Sequence, residues 1–266
     1  MLNLDDPLGV RLAQRLSARG VRTIGYSLSE TAVAPGGVSE YIAARAIRIA
    51  GEASAAVLVS SWGDAEARIN QPGRFNVGNA LGVLGCLVAY GISFRDAAAQ
   101  LASLPAVPGR MQRVGGGNRP LVVIDYAHTP DALEKVLQAL RPVADARGGR
   151  LAAVFGAGGD RDRAKRAPMG AAASRHADRV VLTSDNPRSE EPLAIIGEIR
   201  TGVTAPCLIE PDRNAAIERA LREAQGADVI LIAGKGHETV QEISGRRLPF
   251  SDAAVAAALL ERWRAG

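Results

Sequence analysis

The sequence predicts an α/β protein, and three observations carry that prediction. From residue 120 onward, short runs of Val, Ile and Leu alternate with stretches of helical period. Aromatic residues make up only 4% of the chain, while Ala, Gly and Val are abundant. That balance suits closely packed helix and sheet layers. Apolar residues are 47% of 266, enough to bury a sizeable core in one large or two small domains.

Residues 7–19 read as a short helix, and "VRTIGYSLSE" (21–30) as a strand and its exit. "EYIAARAIRIA" (40–50) and "SAAVLVSSWGDAEARIN" (54–70) show much alternation and read as strands joined by a turn near Gly51. "GRFNVGNALGVLGCLVAYG" (73–91) is a helix, apolar on most sides and stopped by Gly91. "SFRDAAAQLASL" (93–104) is a second helix with Ser93 as its N-cap. "PAVPGRMQRVGGGNRP" (105–120), rich in Pro and Gly, is the linker candidate.

The rhythm then changes. "LVVIDYA" (121–127) is a buried-type strand, and "TPDALEKVLQAL" (129–140) is a helix with Thr129 as N-cap and Pro130 at its first position. "RLAAVFG" (150–156), "DRVVLTS" (178–184), "PCLIE" (206–210) and "ADVILIAG" (227–234) are further strands, with helices near 163–176, 192–202 and 212–224 between them. "ETVQEISGRRLPF" (238–250) is a turn pair leading to a final helix, 251–264. Short apolar strands alternating with helices imply a largely parallel sheet covered on both faces. Residues 110–266 are therefore expected to form a complete Rossmann-like domain. Residues 1–109 are expected to be incomplete: they show few strands and open as if inside a larger sheet.

The net charge is +4, with basic residues scattered among acids. No clustered basic stripe with interleaved aromatics is present, so no nucleic-acid partner is expected. Cys86 and Cys207 are far apart in apolar settings, which predicts neither a disulfide framework nor a metal site. Free thiols in a reducing cytoplasm are the expectation. The N-terminus has no signal-peptide pattern, and no apolar run approaches membrane-spanning length.

Ligands of open α/β sheets gather at the C-terminal ends of the strands. "DYAHTP" brings Asp125 and His128 there, and "FGAGGDRDRAKR" brings Asp160, Arg161, Lys165 and Arg166. "TSDNPRSEEP" adds Asp185 and Arg188, and "AGKGHE" adds Lys235, His237 and Glu238. Charges of both signs at one sheet edge point to a polar ligand carrying both signs. Each signal also has a plainer reading. A Gly-rich turn can be only a left-handed turn. Asp185-Asn186-Pro187 can begin a helix whose positive end favours Glu190 and Glu191. That reading does not explain Arg188, which opposes the dipole and whose planar fork matches a carboxylate. Arg161 between Asp160 and Asp162 can be a surface ion-pair cluster, His128 can cap a helix, and His237 can pair with Glu238. Asn76 and Asn79, one turn apart, either serve the helix start or read a planar base with their amides. Neither G-x-x-x-x-G-K-[ST] nor G-x-G-x-x-G occurs.

The stretches "FNVGNALG", "PGRMQRV", "VVIDYAHTPDALEKVL", "VFGAGGDRDRAKRAPMG", "SDNPRSEEP" and "LIAGKGHETVQEI" run in one order over nearly the whole chain. As a set they resemble the Mur ligases of bacterial cell-wall synthesis, in particular those that add meso-diaminopimelate. The resemblance implies an ATP-dependent amide ligase that joins an amino acid to a UDP-linked peptide carboxylate through an acyl phosphate. By that match Asn76 and Asn79 lie beside adenine, Asp125 holds the ribose, and Arg110 and His128 belong to the nucleotide site. Arg188 binds the far carboxylate of diaminopimelate, and Arg161, Asp185, Asn186, Gly234 and Glu238 supply the remaining contacts.

The resemblance also has gaps. The family's uridine-nucleotide domain, P-loop, Mg²⁺-binding residues and modified lysine have no counterpart here. The chain is expected to be the end of the central ATP-binding domain followed by the whole C-terminal domain. It is expected not to ligate alone, its ATP, Mg²⁺ and UDP-N-acetylmuramoyl-dipeptide being handled in an intact ligase. The alternatives are a stand-alone or decayed diaminopimelate-binding domain, or a related ligase such as a folylpolyglutamate synthase. "DNPR" (185–188) argues against the last.

Overall fold

The computed structural model describes residues 1–29, 37–51 and 53–264, and divides into two units, Met1–Pro105 and Ala106–Gly266. The expected strand exit at Glu30, and Glu52 beside the turn at Gly51, lie outside the described residues.

The first unit opens with β1 (Leu2–Asn3) and α1 (Pro7–Ser17), which Asp6 caps by accepting the Leu8 N–H at 2.7 Å. β2 (Ile24–Ser27), β3 (Glu40–Ala50), β4 (Ala53–Ser60) and β5 (Gly63–Ile69) follow, and the sheet order is β1-β2-β3-β4-β5. β1, β2 and β3 run parallel, and β3, β4 and β5 form antiparallel hairpins. The single strand expected over 54–70 is thus two. The chain turns at Ser61 and Trp62, where Gly63 has φ +107° and the Ser60 hydroxyl donates to its carbonyl at 2.6 Å. The expectation of few strands is corrected too, because small residues in β4 and β5 hid that hairpin. α2 (Arg74–Ala89) and α3 (Phe94–Gln100), with a 3₁₀ turn at Leu101–Ser103, complete the unit. Ser93 caps α3 as expected, accepting the Asp96 N–H. Ile42, Leu58, Val77, Leu81 and Leu84 are fully buried between sheet and helices.

The second unit is Rossmann-like. Its strands are β6 (Gln112–Gly115), β7 (Leu121–Asp125), β8 (Leu151–Phe155), β9 (Arg179–Leu182), β10 (Cys207–Ile209) and β11 (Val229–Ala233), ordered β10-β9-β8-β11-β7-β6. β7 to β11 are parallel, and β6 adds antiparallel to β7. The linker expected over 105–120 therefore contains a strand. One apolar residue in "QRVG" gave it no pattern to read. α4 (Pro130–Arg147) runs well past its expected end and stops at Gly148, φ +70°. α5 (Arg166–His176), α6 (Pro192–Arg200) and α7 (Arg213–Arg222) connect the later strands, and the hairpin β12 (Val240–Ile243) with β13 (Arg246–Pro249) leads to α8 (Asp252–Arg262). Every residue of β7 and β11 is buried, which explains their unbroken apolar runs. Val122, Ile124, Val154, Val181 and Ile230 pack with α7 and α8 in one core.

Candidate functional site

The C-terminal strand ends of the second unit converge through close backbone approach. A Cβ on Gly159 would lie 1.9 Å from the Pro187 carbonyl, and one on Gly156 would lie 2.1 Å from that of Thr183. Gly234, φ +114°, passes so close to Asp185 that a Cβ would meet its Oδ2 at 2.3 Å. Only glycine fits such approaches.

Asp125 ends β7. It is 5% exposed and accepts the N–H groups of Met111 (2.9 Å) and Ala127 (2.8 Å). Burial raises its pKa, opposed by those two hydrogen bonds and by the charge of Arg110. The Arg110 guanidinium lies 5.0 Å from the centre of the Tyr126 ring, a cation–π distance. The same ring contacts His128 and His237, both exposed. His128 Nδ1 lies 2.8 Å from the Tyr126 carbonyl, and its own carbonyl accepts from Lys165 Nζ at 2.8 Å. Burial lowers the Lys165 pKa, with Asp185 and Asp162 opposing.

Two loops, after β8 and β9, are bolted together. Asp160, φ +53°, accepts from the hydroxyl and N–H of Ser189 and donates its own N–H to Glu190 at 2.7 Å. Arg166 is fully buried and makes two bonds to Glu190, 2.7 and 2.9 Å, and one to Glu198, 3.0 Å. Glu190 is therefore held by an arginine rather than by the next helix's dipole. Arg161 is exposed and donates to the Asp160 carbonyl at 3.0 Å.

Asp185 is 7% exposed, and burial raises its pKa against the pull of Arg213 and Lys235. Lys235 is fully buried, with its ammonium donating to Asn186 Oδ1 (2.9 Å), Glu238 Oε2 (3.1 Å) and the Val240 carbonyl (2.7 Å). The Asn186 amide also donates to Glu238 at 2.8 Å and accepts the Glu242 N–H at 2.9 Å. Burial opposes ionisation of Glu238, but the bonds from Asn186 and Lys235 bring its carboxyl below the usual range. Arg188 has φ +53°, and its guanidinium donates to the Gly159 carbonyl at 2.7 Å and pairs with Glu242 at 3.4 Å.

Asn76 and Asn79 lie in the first unit. Asn76 is buried and donates to the Pro72 carbonyl at 2.8 Å, a helix-start role, while Asn79 is exposed. Among the residues that sequence reasoning did not single out are Arg213 and Asp252, Gln241 and Glu242. Asp252 follows an N-cap serine and looks in sequence like an ordinary first-turn acid. Gln241 and Glu242 lie on a strand read only as part of a turn pair.

Fold and strand-end chemistry together define a Rossmann-like domain with charges of both signs at its strand ends. The Mur ligase middle domain profile matches residues 1–87, and that of the Mur ligase glutamate ligase domain matches residues 109–236. The chain belongs to the Mur ligase family. The UDP-N-acetylmuramoyl-L-alanyl-D-glutamate–2,6-diaminopimelate ligase of Janthinobacterium sp. (strain Marseille) is 52% identical over 98% of this chain and 51% of that protein. The ligase of the same name from Ralstonia nicotianae is 50% identical over 95% and 49%. A solved structure of a ligase with that name superposes with a TM-score of 0.62 at 36% identity, covering 98% of this chain and 52% of that one. A pseudomurein peptide ligase from Methanothermus fervidus, TM-score 0.67 at 17% identity, shares the fold. The chain spans about half the length of the curated relatives it matches.

Proposed function

We propose that this chain is the C-terminal half of an ATP-dependent ligase that adds meso-diaminopimelate to UDP-N-acetylmuramoyl-L-alanyl-D-glutamate in peptidoglycan synthesis. In this reading residues 1–109 end the central ATP-binding domain, and residues 110–266 form the amino-acid-binding domain, at work in the cytoplasm. The observation that carries it is Arg188. Its guanidinium is only partly exposed, sits at the strand edge, and is fixed by the Gly159 carbonyl at 2.7 Å. A planar fork so held suits a ligand carboxylate.

Arg161, Asp185, Asn186, Gly234 and Glu238 surround the diaminopimelate in this reading. Glu238 supplies a partly exposed carboxylate there, Asp185 is buried beside Gly234, and Asn186, engaged by Lys235, Glu238 and Glu242, shapes the loop. Asn76, Asn79, Arg110, Asp125 and His128 serve the nucleotide. Asp125 fits a ribose, because each carboxylate oxygen accepts one backbone N–H and keeps a lone pair for a hydroxyl. Among the described residues no group of three His, Cys, Asp or Glu side chains is placed to hold a metal ion. ATP supplies the activating phosphoryl group in such a ligase. The residues here bind the incoming amino acid and set the approach of its amine.

Calorimetry with meso-diaminopimelate tests the reading. The purified chain should bind it in preference to lysine, and Arg188→Ala should lose about 2–5 kcal/mol of binding. An Arg188→Ala variant with wild-type affinity would sink the assignment.

A further inference from the structure

Every residue of the 185–188 loop except Pro187 is tied to one strand, β12. The Gln241 side chain donates to the Asp185 carbonyl at 2.8 Å, and the Glu242 N–H donates to Asn186 Oδ1 at 2.9 Å. Arg188 donates its N–H to the Glu242 carbonyl at 3.0 Å, and its own carbonyl accepts from Ser244 N–H at 2.7 Å. These bonds fix Arg188 in a left-handed conformation, φ +53°, that arginine rarely adopts. The same strand then sets a carboxylate against the guanidinium it has positioned, with Glu242 Oε2 3.4 Å from Arg188 Nε. Glu238 and Asp160 also sense the Arg188 charge, so the arginine stands among three acids.

An arginine so surrounded is a poor receptor for a bare carboxylate. The incoming anion would place its charge beside that of Glu242, while Glu238 already has Lys235 as its partner. A ligand end carrying an ammonium beside its carboxylate meets both signs.

We propose that Glu242 is a specificity-determining residue. It is the resting counter-ion of Arg188, and it makes the site select a ligand end that brings an ammonium with its carboxylate. This rests on the reading that Arg188 grips a diaminopimelate carboxylate. Glu242 is 40% exposed at its side chain, so its pair with Arg188 contributes little to folding. Its charge can therefore be removed while its backbone bonds to Asn186 and Arg188 remain.

The test compares wild-type chain, Glu242→Gln and Glu242→Ala, each checked for an unchanged melting temperature. Affinities are measured for meso-diaminopimelate and for pimelate, the same dicarboxylate without amines. Pimelate is symmetric, so its orientation introduces no ambiguity, and the loss of its other amine cancels between variants. Both variants should bind diaminopimelate more weakly and pimelate more tightly, reducing discrimination by about fivefold or more. If wild type prefers diaminopimelate and the ratio is unchanged in both variants, the role of Glu242 is overturned and the proposed function stands. If wild type binds neither ligand, the proposed function fails, and the role of Glu242 falls with it.

Discussion

Arg213 and Asp252 are both fully buried and join through two hydrogen bonds of 2.7 and 2.8 Å. Arg213 also donates to the carbonyls of Ser184 (3.1 Å) and Ala233 (2.9 Å). One guanidinium thus links the ends of β9 and β11 to the start of α8, directly behind the loops of the candidate site.

Removing one member leaves the other charged and dry. Asp252→Ala should destabilise the second unit by about 3–5 kcal/mol, and Arg213→Met with Asp252→Leu should recover most of that loss. Urea unfolding followed by Trp263 fluorescence in a Trp62→Phe background isolates this unit. A single-mutant cost below about 1 kcal/mol would mean that water relieves the charge.

The Arg166–Glu190 pair makes stability depend on acid. The hydrogen bonds from Arg166, then that from the Asp160 N–H, hold the Glu190 carboxyl at about 2, against an ordinary 4.5. A depressed folded-state value contributes stability above the unfolded value and loses it as pH falls toward the folded one. Between pH 4.5 and about 2 the wild type should lose stability more steeply than Glu190→Gln. Midpoints measured at stepped pH decide it, and equal slopes would contradict the pairing.

Gly159 sets the spacing between the loops after β8 and β9. Gly159→Ala would place its Cβ 1.9 Å from the Pro187 carbonyl, backbone against side chain with no flexible atom to yield. The 185–188 loop must shift, at a cost of about 1–3 kcal/mol in stability. Diaminopimelate binding should weaken with it, and calorimetry showing unchanged affinity would mean that the loop does not position the ligand.

The chain by itself should form no amide bond. Incubated with ATP, Mg²⁺, UDP-N-acetylmuramoyl-L-alanyl-D-glutamate and diaminopimelate, it should release no ADP above background. Product detected by mass spectrometry would refute the assignment of phosphoryl activation to other parts of the ligase.

Much of the second unit was legible because its physics is local. Buried parallel strands must be apolar throughout, and Thr129 and Pro130 mark a helix start by satisfying or omitting N–H groups. β6 and the β4–β5 hairpin were not legible, since few large apolar residues mark them and partner strands hold them in place. At the candidate site the strand-end loops stood out by their glycines and charges. The partners of those charges did not: Arg166 finds Glu190, and Lys235 finds Asn186, across gaps of 24 and 49 residues.

The sequence by itself determined the alternation of strand and helix, the strand-end position of Asp125, Asp185, Arg188 and Glu238, and the family resemblance. Each depends on residue type, spacing and near-neighbour chemistry. The tertiary structure alone decided which charges are buried in the fold and which stay partly exposed. Lys235 and Arg213 are fully buried and paired inside, while Arg188 is held by β12, stays partly exposed and pairs with Glu242. The physical reason is that burial and pairing are set by segments distant in the chain, and these fix the worth of a charge.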